Sequence, residues 1–469
     1  MTSCTSTSGQ DFDFAAFVAF DWADREHAWA LQVAGSQQRE HGTLPHKPEA
    51  IEAWAQQLHV RFGGRPVAVA LEQSRGALIY ALRQFPHLVL YPIHPSTSYS
   101  YRLAMFPSGS KDDPKDADLI LDLIVQHRER FRALQPDTEQ TRKLQMLVEK
   151  RRQMVDDKTA QRNRITDLLK LYFPQVLGWF DEIDSPIAAA FLQRWPTLEK
   201  LQREDPEVVR TFFYEHHSRS AARIEQRLGE MRQARPALTD AAVIEPAVIL
   251  TQALLAVVAA VREGIAHLDQ AIDQTAAAHP DYVLFASFPG AGKVMAPRLL
   301  VAFGSQRERF ASAQEMQSFS GIAPVISRSG TSQRWIHFRW ACPKFLRQTF
   351  HEFAALSIAQ CAWAKEFYDK KRSEKKGHHA AVRALAFKWI RILFRCWKSR
   401  TPYDESIWLR NRTLRQADSN APAPSPKSAA AKAAAPQPFS FWPGITCAGT
   451  VSFQFKNIAG MFKFSGPAS

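Results

Sequence analysis

Apolar and polar positions follow two different periods in the first part of the chain, where strand-like segments alternate with helix-like segments. The run FVAFDWA, residues 17–23, is typical of a buried strand and ends on a single acid, Asp21. A second apolar run, PVAVAL, ends in the same way at Glu72. Strand signals also occupy residues 28–35, 39–44 and 87–92, and helical spacing occupies residues 48–58 and 76–85.

Three strands, a helix, a strand, a helix and a strand form the order of the RNase H-like fold, whose mixed sheet presents carboxylates at strand ends. We therefore expect an α/β N-terminal domain with this fold. A carboxylate at the end of a buried strand needs a cation or a hydrogen-bond partner. For Asp21 taken alone, a cap on the following turn is the competing interpretation.

A further source of carboxylates is the segment KDDPKDADLILDLI, which follows a Ser-, Tyr- and Gly-rich stretch, residues 96–110, that we expect to be a loop. Pro114 suits the first position of a helix, and Asp113 suits the cap before it. Asp116 lies three residues further and shares a helical face with Asp113, where two carboxylates repel each other unless a cation lies between them. An ordinary N-cap is the alternative for Asp113, and Asp118 should point into solvent.

The middle of the chain predicts long amphipathic helices. Apolar residues recur at roughly heptad spacing in residues 136–172, and residues 206–278 show a similar pattern. We expect the two segments to form an antiparallel coiled coil. Their Arg-rich faces are either solvated or in contact with phosphate.

A mostly helical C-terminal domain begins near residue 281. Its PGAGK segment does not fit a phosphate-binding P-loop, because the required Gly and Ser or Thr are replaced by Ser287 and Val294. A Pro-Gly-x-Gly turn that leads into a helix better fits a helix–hairpin–helix-like element, in which backbone N–H groups approach a nucleic-acid phosphate. A plain tight turn is the alternative. The expected domains are residues 1–130, 131–278, 279–413 and an Ala/Pro-rich linker and tail, 414–469.

The segment after Pro324 is a candidate for covalent chemistry. Ser327, Ser329 and Gly330 should form a loop among several cationic side chains. A serine in a generic loop is usually inert, whereas cations around it can hold a phosphate and stabilise charge on its oxygens during attack.

The composition indicates an anionic partner and a reducing compartment. Sixty Lys and Arg residues against 46 Asp and Glu residues give a net charge of +14, which favours nucleic acid over a merely basic surface. The five Cys residues form no CxxC pair, and the N-terminus lacks the pattern of a signal peptide. We found no apolar run long enough to cross a bilayer. We therefore expect a cytoplasmic protein without a membrane partner.

These residues, in this order and spacing, resemble the DEDD-type transposases of the insertion-sequence-110 family. The resemblance covers about residues 15–405. It rests on FDWA and LEQS around the first two acids, on KDDPKDA, on the PGxG segment at 289–292, on Gly321 to Pro324 and on Ser329-Gly330. Trp22 and Arg328 depart from the family pattern, and Asp112 leaves the register of the third acid open.

The resemblance implies a RuvC-like N-terminal domain, in which Asp21, Glu72, Asp113 and Asp116 bind Mg²⁺, and a C-terminal transposase domain with Ser329 as the catalytic residue. Ser327 is a weaker rival. It also implies RNA-guided recombination through a phosphoserine intermediate, with DNA at the element ends and target, a structured guide RNA and a homo-oligomer, a dimer or tetramer, as partners. The expected nucleic-acid-binding residues are Lys111, Gly290, Gly292, Lys293, Arg328, Arg334, Arg339 and Lys344.

Two other classes of function stay open at this point. One is a RuvC-like, metal-dependent junction nuclease that uses the four acids without serine chemistry. The other is a non-catalytic nucleic-acid-binding protein that uses the basic helices and the PGxG turn.

Overall fold

The computed structural model describes residues 13–73, 75–105, 113–218, 220–329, 333–337, 339–407 and 410. Within helices and strands, the side chains of residues 113–115, 327–329 and 333–335 lie outside the described part. The chain divides into two compact units, residues 1–403 and 404–469. The architecture below belongs to the first unit, and the predicted low-complexity tail lies outside the described residues.

A five-stranded mixed sheet forms the N-terminal part, as the alternation of the sequence predicts. Its strands are β1 (Ala16–Asp21), β2 (Glu26–Val33), β3 (Arg39–Pro45), β4 (Val67–Leu71) and β5 (Leu88–Pro92). The spatial order is β3-β2-β1-β4-β5. The first three strands pair antiparallel, and β1, β4 and β5 pair parallel.

Helices cover both faces of the sheet. Apolar side chains of α1 (Pro48–Arg61) and α2 (Ala77–Leu82) pack against Val18, Phe20 and Val69 on one face. The other face consists mainly of small residues at its centre, including Ala19, Ala68 and Ala70, and their size allows a helix to lie close to the strands. That helix is α4, and a further helix, α3, precedes it; their bounds are Pro95–Met105 for α3 and Asp113–His127 for α4. The expectation of a loop from residue 96 onward is therefore wrong for residues 96–105.

The middle of the chain contains two long helices and a small helical cluster between them. Helix α5 (Glu139–Tyr172) begins at Thr138, whose hydroxyl oxygen accepts a hydrogen bond from the Thr141 N–H at 3.3 Å. The short helices that follow are α6 (Val176–Trp179), α7 (Pro186–Arg194), α8 (Leu198–Gln202), α9 (Pro206–Glu215) and α10 (Ala221–Gln233). Their core is rich in aromatic side chains, including Trp179, Phe191, Trp195, Phe212 and Phe213.

The second long helix, α11 (Ala241–Ala277), runs antiparallel to α5. Gln140 near the start of α5 donates a hydrogen bond to the carbonyl of Thr275 at the end of α11. Arg151 binds Asp269, and Ile165 near the end of α5 packs with Val258 of α11. The two long helices therefore lie antiparallel, whereas the first part of the segment 206–278 forms α9 and α10; a coiled coil stays a prediction.

Helix α11 is long and apolar enough, by length and composition, to cross a membrane. The expectation that no such run exists is therefore wrong. A helix in the core of a protein can pass the same test; α11 buries Leu254, Leu255 and Val258 against its neighbours, although only 28% of its most apolar stretch is buried. One such helix is weak support for a membrane span.

The C-terminal part is mostly helical and carries one small hairpin. Its elements are α12 (Tyr282–Ala286), α13 (Gly292–Phe303), α14 (Ala313–Phe319), β6 (Val325–Ser329), β7 (Gln333–His337), α15 (Lys344–Gln360), α16 (Ala362–Ser373) and α17 (His378–Ser399). Phe303, Phe350, Phe353, Trp389 and Trp397 are fully buried among these helices. Trp397 donates its indole N–H to the carbonyl of Gly304 at 2.8 Å, so the last helix is tied to the loop that follows α13.

Asp137 joins the start of α5 to that same loop of the C-terminal part. Its carboxylate accepts hydrogen bonds from the Ser305 N–H at 2.8 Å and the Ser305 hydroxyl at 2.9 Å. It also forms an ion pair with Arg309 at 3.2 Å. The Asp137 side chain is only 10% exposed, so these partners replace most of its water. One carboxylate therefore links the segment after the sheet to the loop that carries Arg309.

We expect Asp137→Ala to lower the free energy of unfolding by about 1–3 kcal/mol, because it leaves buried donors of Ser305 and Arg309 unpaired. Urea unfolding followed by tryptophan fluorescence measures the change. Asp181→Ala is the control, since the Asp181–Arg223 pair is exposed and should contribute about 0–1 kcal/mol. Equal effects of the two substitutions would contradict the role of Asp137.

Candidate active site and nucleic-acid interface

Asp21 and Glu72 lie side by side at the carboxyl edge of the sheet. β1 and β4 are parallel and adjacent, and Phe20 of β1 pairs with Leu71 of β4. The next positions, Asp21 and Glu72, are therefore opposite each other. Because side chains alternate along a strand, Asp21 shares the face of Ala19, which is the face that α4 covers. Both acids are partly buried.

Helix α4 brings its amino end to the same edge. Its C-terminal neighbour Arg128 lies over the ring of Phe14, just before β1, at 5.1 Å. Asp118 pairs with His41 and Arg39 at 3.1 Å, in the first half of β3. Helix α4 therefore runs antiparallel to β1, and its first turn lies toward the end at which Asp21 is found.

These contacts fix where the second pair of acids lies along the sheet. Asp113 and Asp116 lie in the first turn of α4, so the carboxyl ends of two strands and the amino end of one helix meet at one edge. Asp118 is ion-paired to β3, and the expectation that it points into solvent is wrong. Asp112 and Lys111 lie outside the described residues, and so does the side chain of Asp113.

Helix α3 supplies partners to two of the acids. Ser98, which is 3% exposed, donates a short hydrogen bond to a carboxylate oxygen of Glu72. Arg102, one turn later, forms an ion pair with Asp116 at 2.6 Å. The side chain of Asp116 is 6% exposed and that of Arg102 is 19% exposed, so this ion pair is largely removed from water. Carboxylates that lie close together repel each other unless a cation compensates them. At Asp116 this cation is Arg102, which belongs to the same domain.

The donor chemistry of this edge suits a hard divalent cation, because carboxylate oxygens are the ligands that Mg²⁺ prefers. Among the side chains that the structure describes, no three His, Cys, Asp or Glu groups come close enough together to hold a metal ion. Asp113 is not among those side chains. In this arrangement α3 contacts Glu72 through Ser98 and Asp116 through Arg102.

An aromatic cluster lies just past Asp21. Trp22 is 43% exposed and its ring stacks on His27 with the centroids 6.4 Å apart. His27 contacts His46 at 2.8 Å between ring nitrogens. Burial, together with the neighbouring His46, lowers the pKa of His27 to about 4. His27 is therefore neutral at pH 7 and adds no positive charge beside the acids.

Ser329 lies at the end of a strand, and the expectation that it sits within a loop is wrong in this respect. β6 and β7 form an antiparallel hairpin in which Ser329 pairs with Gln333 and Arg328 pairs with Arg334. Gly330 and the side chains of Ser327, Arg328, Ser329 and Arg334 lie outside the described part. The backbone places Ser329 directly before the connection between the strands.

The PGxG turn connects α12 to α13. Gly290 has a φ of +78°, and a Cβ at this position would lie 3.2 Å from the backbone carbonyl carbon of Leu356 in α15. Packing against α15 thus accounts for Gly290 within the protein. Gly292, with a φ of +50°, has open space at its Cβ position, and the neighbouring Lys293 is 82% exposed. The outer side of this turn, at the amino end of α13, is the part that a phosphate could reach.

Two other predicted nucleic-acid-binding residues follow the hairpin. Arg339 is partly buried, and its carbonyl accepts a hydrogen bond from Arg347 at 3.4 Å. Lys344 is exposed at the first residue of α15. The two residues lie in the segment that connects the Ser329 hairpin to the helical core.

Two family models match the two parts of the chain that carry these features. A DEDD-type model described as "Transposase" matches residues 18–174, and one described as "Transposase IS116/IS110/IS902 family" matches residues 282–369. The chain belongs to the IS110 family of transposases.

The relatives of this transposase support the same assignment. The mini-circle protein of Streptomyces coelicolor that is named as a transposase for IS117 is 26% identical over 83% of this chain and 95% of its own length. An IS110 protein of 43.6 kDa from the same organism is 27% identical over 84% of this chain and 96% of its own length. An IS900 protein of Mycobacterium paratuberculosis is 24% identical over 72% of this chain and 83% of its own length.

Sequence reasoning missed Ser98 and Arg102 of the transposase. Both lie in the stretch that was expected to be a loop, and neither belongs to a motif. The one available signal was their spacing of four residues, which places them on one face if the segment is helical. The spacing alone does not predict contacts with Glu72 and Asp116, because these depend on where α3 lies relative to the sheet.

We expect Gly290→Ala to lower the free energy of unfolding of the transposase by about 1–3 kcal/mol, since the new methyl group meets the α15 backbone and the φ is positive. Chemical unfolding without nucleic acid measures this change. Gly229→Ala is the control: Gly229 lies inside α10 with open space at its Cβ position, so the substitution should be neutral or stabilise by up to about 1 kcal/mol. A Gly290→Ala protein as stable as the wild type would refute the packing role.

Proposed function

We propose that this transposase is an RNA-guided DNA recombinase of an insertion sequence that cleaves and exchanges strands through a phosphoserine intermediate. The observation that supports the proposal is that β1, β4 and the amino end of α4, the elements on or next to which the four family-pattern acids lie, meet at one edge of the sheet. Acids from separated segments at a common sheet edge favour metal-assisted chemistry on phosphate over a structural role.

In this proposal Asp21, Glu72, Asp113 and Asp116 bind Mg²⁺. When bound, Mg²⁺ neutralises charge on the scissile phosphate and on the leaving oxygen. The acids contribute by placing their carboxylates at the edge. The sheet and α4 fix where the backbones of these residues lie, so little rearrangement is needed beyond side-chain rotation.

Ser329 is the proposed nucleophile. Its hydroxyl oxygen forms a new P–O bond with the scissile phosphodiester as the hydroxyl proton passes to solvent or a nearby base. The P–O bond to the departing strand breaks, and the departing oxygen takes up a proton. The phosphoserine ester keeps the energy of the broken bond, so a new strand end can reverse the step and become joined. The position of Ser329 beside the connection of a hairpin supports access of DNA to it.

Positive charge supports the proposed nucleic-acid partners. The net charge of +14 favours DNA and a structured guide RNA, with sequence choice delegated to RNA–DNA base pairing. We propose that cations near the hairpin and the PGxG turn contact phosphates; these are Lys293, Arg328, Arg334, Arg339 and Lys344, with Lys111 near the acids. We place the reaction in the cytoplasm.

Two exposed apolar surfaces support a homo-oligomer, a dimer or a tetramer. On α11, Ile249, Leu250 and Val257 are 72%, 48% and 45% exposed and form an apolar strip beside the buried leucines. On the hairpin, Ile326 and Ile336 pair across the strands and are 46% and 63% exposed. A hairpin of two strands is only marginally stable unless one face is covered. A second subunit that brings its acids to this hairpin would complete a composite site.

We expect Ser329→Ala to abolish the covalent protein–DNA adduct and to reduce strand cleavage by about 10⁴-fold or more, because the nucleophile is missing. The assay combines the full-length protein, Mg²⁺, DNA of the element end and target, and RNA transcribed from the flanking DNA. The adduct is measured by denaturing gel and the modified residue by mass spectrometry.

Ser327→Ala is the matched control, since Ser327 lies two residues earlier on the same strand and should leave the adduct intact. Cleavage with a covalent adduct in the Ser329→Ala protein would contradict the assignment of Ser329 as the nucleophile. Cleavage without an adduct in the wild-type protein would favour the junction-nuclease alternative.

We expect Glu72→Gln and Asp116→Asn each to reduce Mg²⁺-dependent cleavage by about 10²-fold or more, because each removes an anionic ligand from the edge. Asp118→Asn is the control: it lies on α4 as well, but its partners are Arg39 and His41. Cleavage that survives both acid substitutions unchanged would favour a non-catalytic role of the sheet edge.

A further inference from the structure

Helix α3 occupies the edge of the sheet at which the proposed metal site lies. It starts three residues after β5, whose neighbour β4 leads into Glu72. The Ile93 N–H donates to the Leu71 carbonyl at 2.9 Å, so the chain still follows the sheet as it enters α3. Ser98 and Arg102 are one helical turn apart and reach Glu72 and Asp116 from the same face of the helix.

The Arg102–Asp116 pair is costly to place where it lies, unless each charge compensates the other. Side-chain exposures of 19% and 6% mean that both ions have lost most of their water. The Nε–H of Arg102 is buried without a hydrogen-bond partner. The guanidinium is therefore not held by a full set of hydrogen bonds, and the contact with Asp116 at 2.6 Å is what anchors it.

We propose that Arg102 is the resident counter-ion of the acid site: it holds Asp116 in place, and its positive charge weakens the binding of Mg²⁺ there. This inference rests on the proposed metal site of the four acids. Arg102 acts through Asp116, so it is a positioning residue and does not touch the reacting atoms.

The sign of the effect follows from electrostatics. A guanidinium and a divalent cation that share one carboxylate repel each other, and the repulsion is strong where water is excluded. The repelling acids need a cation in the resting protein, and Arg102 supplies it. When Mg²⁺ binds, electrostatic repulsion from Arg102 offsets part of its binding free energy. The substitution of a neutral residue should therefore destabilise the metal-free protein and tighten metal binding.

We expect full-length Arg102→Gln to have a lower Tm than the wild type in EDTA, and a larger rise in Tm when MgCl2 is added. The apparent Kd for Mg²⁺, measured by titration in thermal unfolding and by calorimetry at constant ionic strength, should be about ten-fold tighter. Arg102→Met, which also removes the charge, should give the same change. Two neutral variants protect the test against one that fails to fold.

Three controls separate charge from structure. Arg102→Lys keeps the charge and should bind Mg²⁺ as the wild type does. Ser98→Ala removes a hydrogen bond from the same helix face without changing the charge, so it should lower the Tm and leave the Kd within about two-fold. Arg65→Gln removes an arginine of the same domain at the opposite edge of the sheet, where it pairs with the exposed Asp13, and should leave the Kd unchanged.

A neutral variant that binds Mg²⁺ as weakly as the wild type, or more weakly, would overturn the counter-ion role. The proposed metal site has its own test in the same assay, since Glu72→Gln should lose the Mg²⁺-induced rise in Tm. If Mg²⁺ does not stabilise the wild-type protein at all, the metal site fails first and the role of Arg102 fails with it.

Discussion

Mutual repulsion of carboxylates at the end of a buried sheet is the constraint on which this structure depends. Asp21 and Glu72 follow strands whose other residues are almost entirely apolar, and Asp116 is nearly inaccessible to water. Anions in such positions must be compensated by cations or hydrogen bonds. The fold supplies both through α3, and it compensates Asp118 separately through Arg39 and His41. On α4, Asp113 and Asp116 therefore lie at the edge where Asp21 and Glu72 are found, whereas Asp118 holds the helix on the sheet.

Periodicity predicted the parts of the fold whose stability is encoded in apolar stripes. The five strands, α1, α2 and the long pair α5 and α11 follow from such stripes, and so does the common edge of Asp21 and Glu72. Helix α3 was missed because the segment PSTSYSYRLAM has almost no buried apolar face, and Ser98 is its one fully buried residue. Contacts with Glu72 and Asp116, which are distant in sequence, hold it in place, and no local pattern encodes such contacts.

The C-terminal half shows the same division between local and distant information. The chain around Ser329 carries turn-forming residues and was expected to be a loop, yet pairing across the hairpin extends β6 to Ser329. Gly290 was expected to approach phosphate, yet its backbone packs on α15. In both cases the residue types correctly indicated a special backbone conformation. The element that packs or pairs with that backbone, β7 at Ser329 and α15 at Gly290, can be identified only from the tertiary structure.

The four acids and Ser329 lie on parts of the fold that differ in how firmly they are packed. This difference bears on how the proposed chemistry is controlled. Asp21 and Glu72 lie at the ends of strands in a sheet covered by helices on both faces, and Asp113 and Asp116 lie on a helix packed against that sheet, so their backbones are fixed before any ligand arrives. Ser329 belongs to a hairpin with exposed Ile326 and Ile336, whose stability requires a covering surface. Such a hairpin is best ordered when DNA or another subunit lies against it. In the proposed mechanism, partners then control the placement of Ser329 and not the formation of the acid edge.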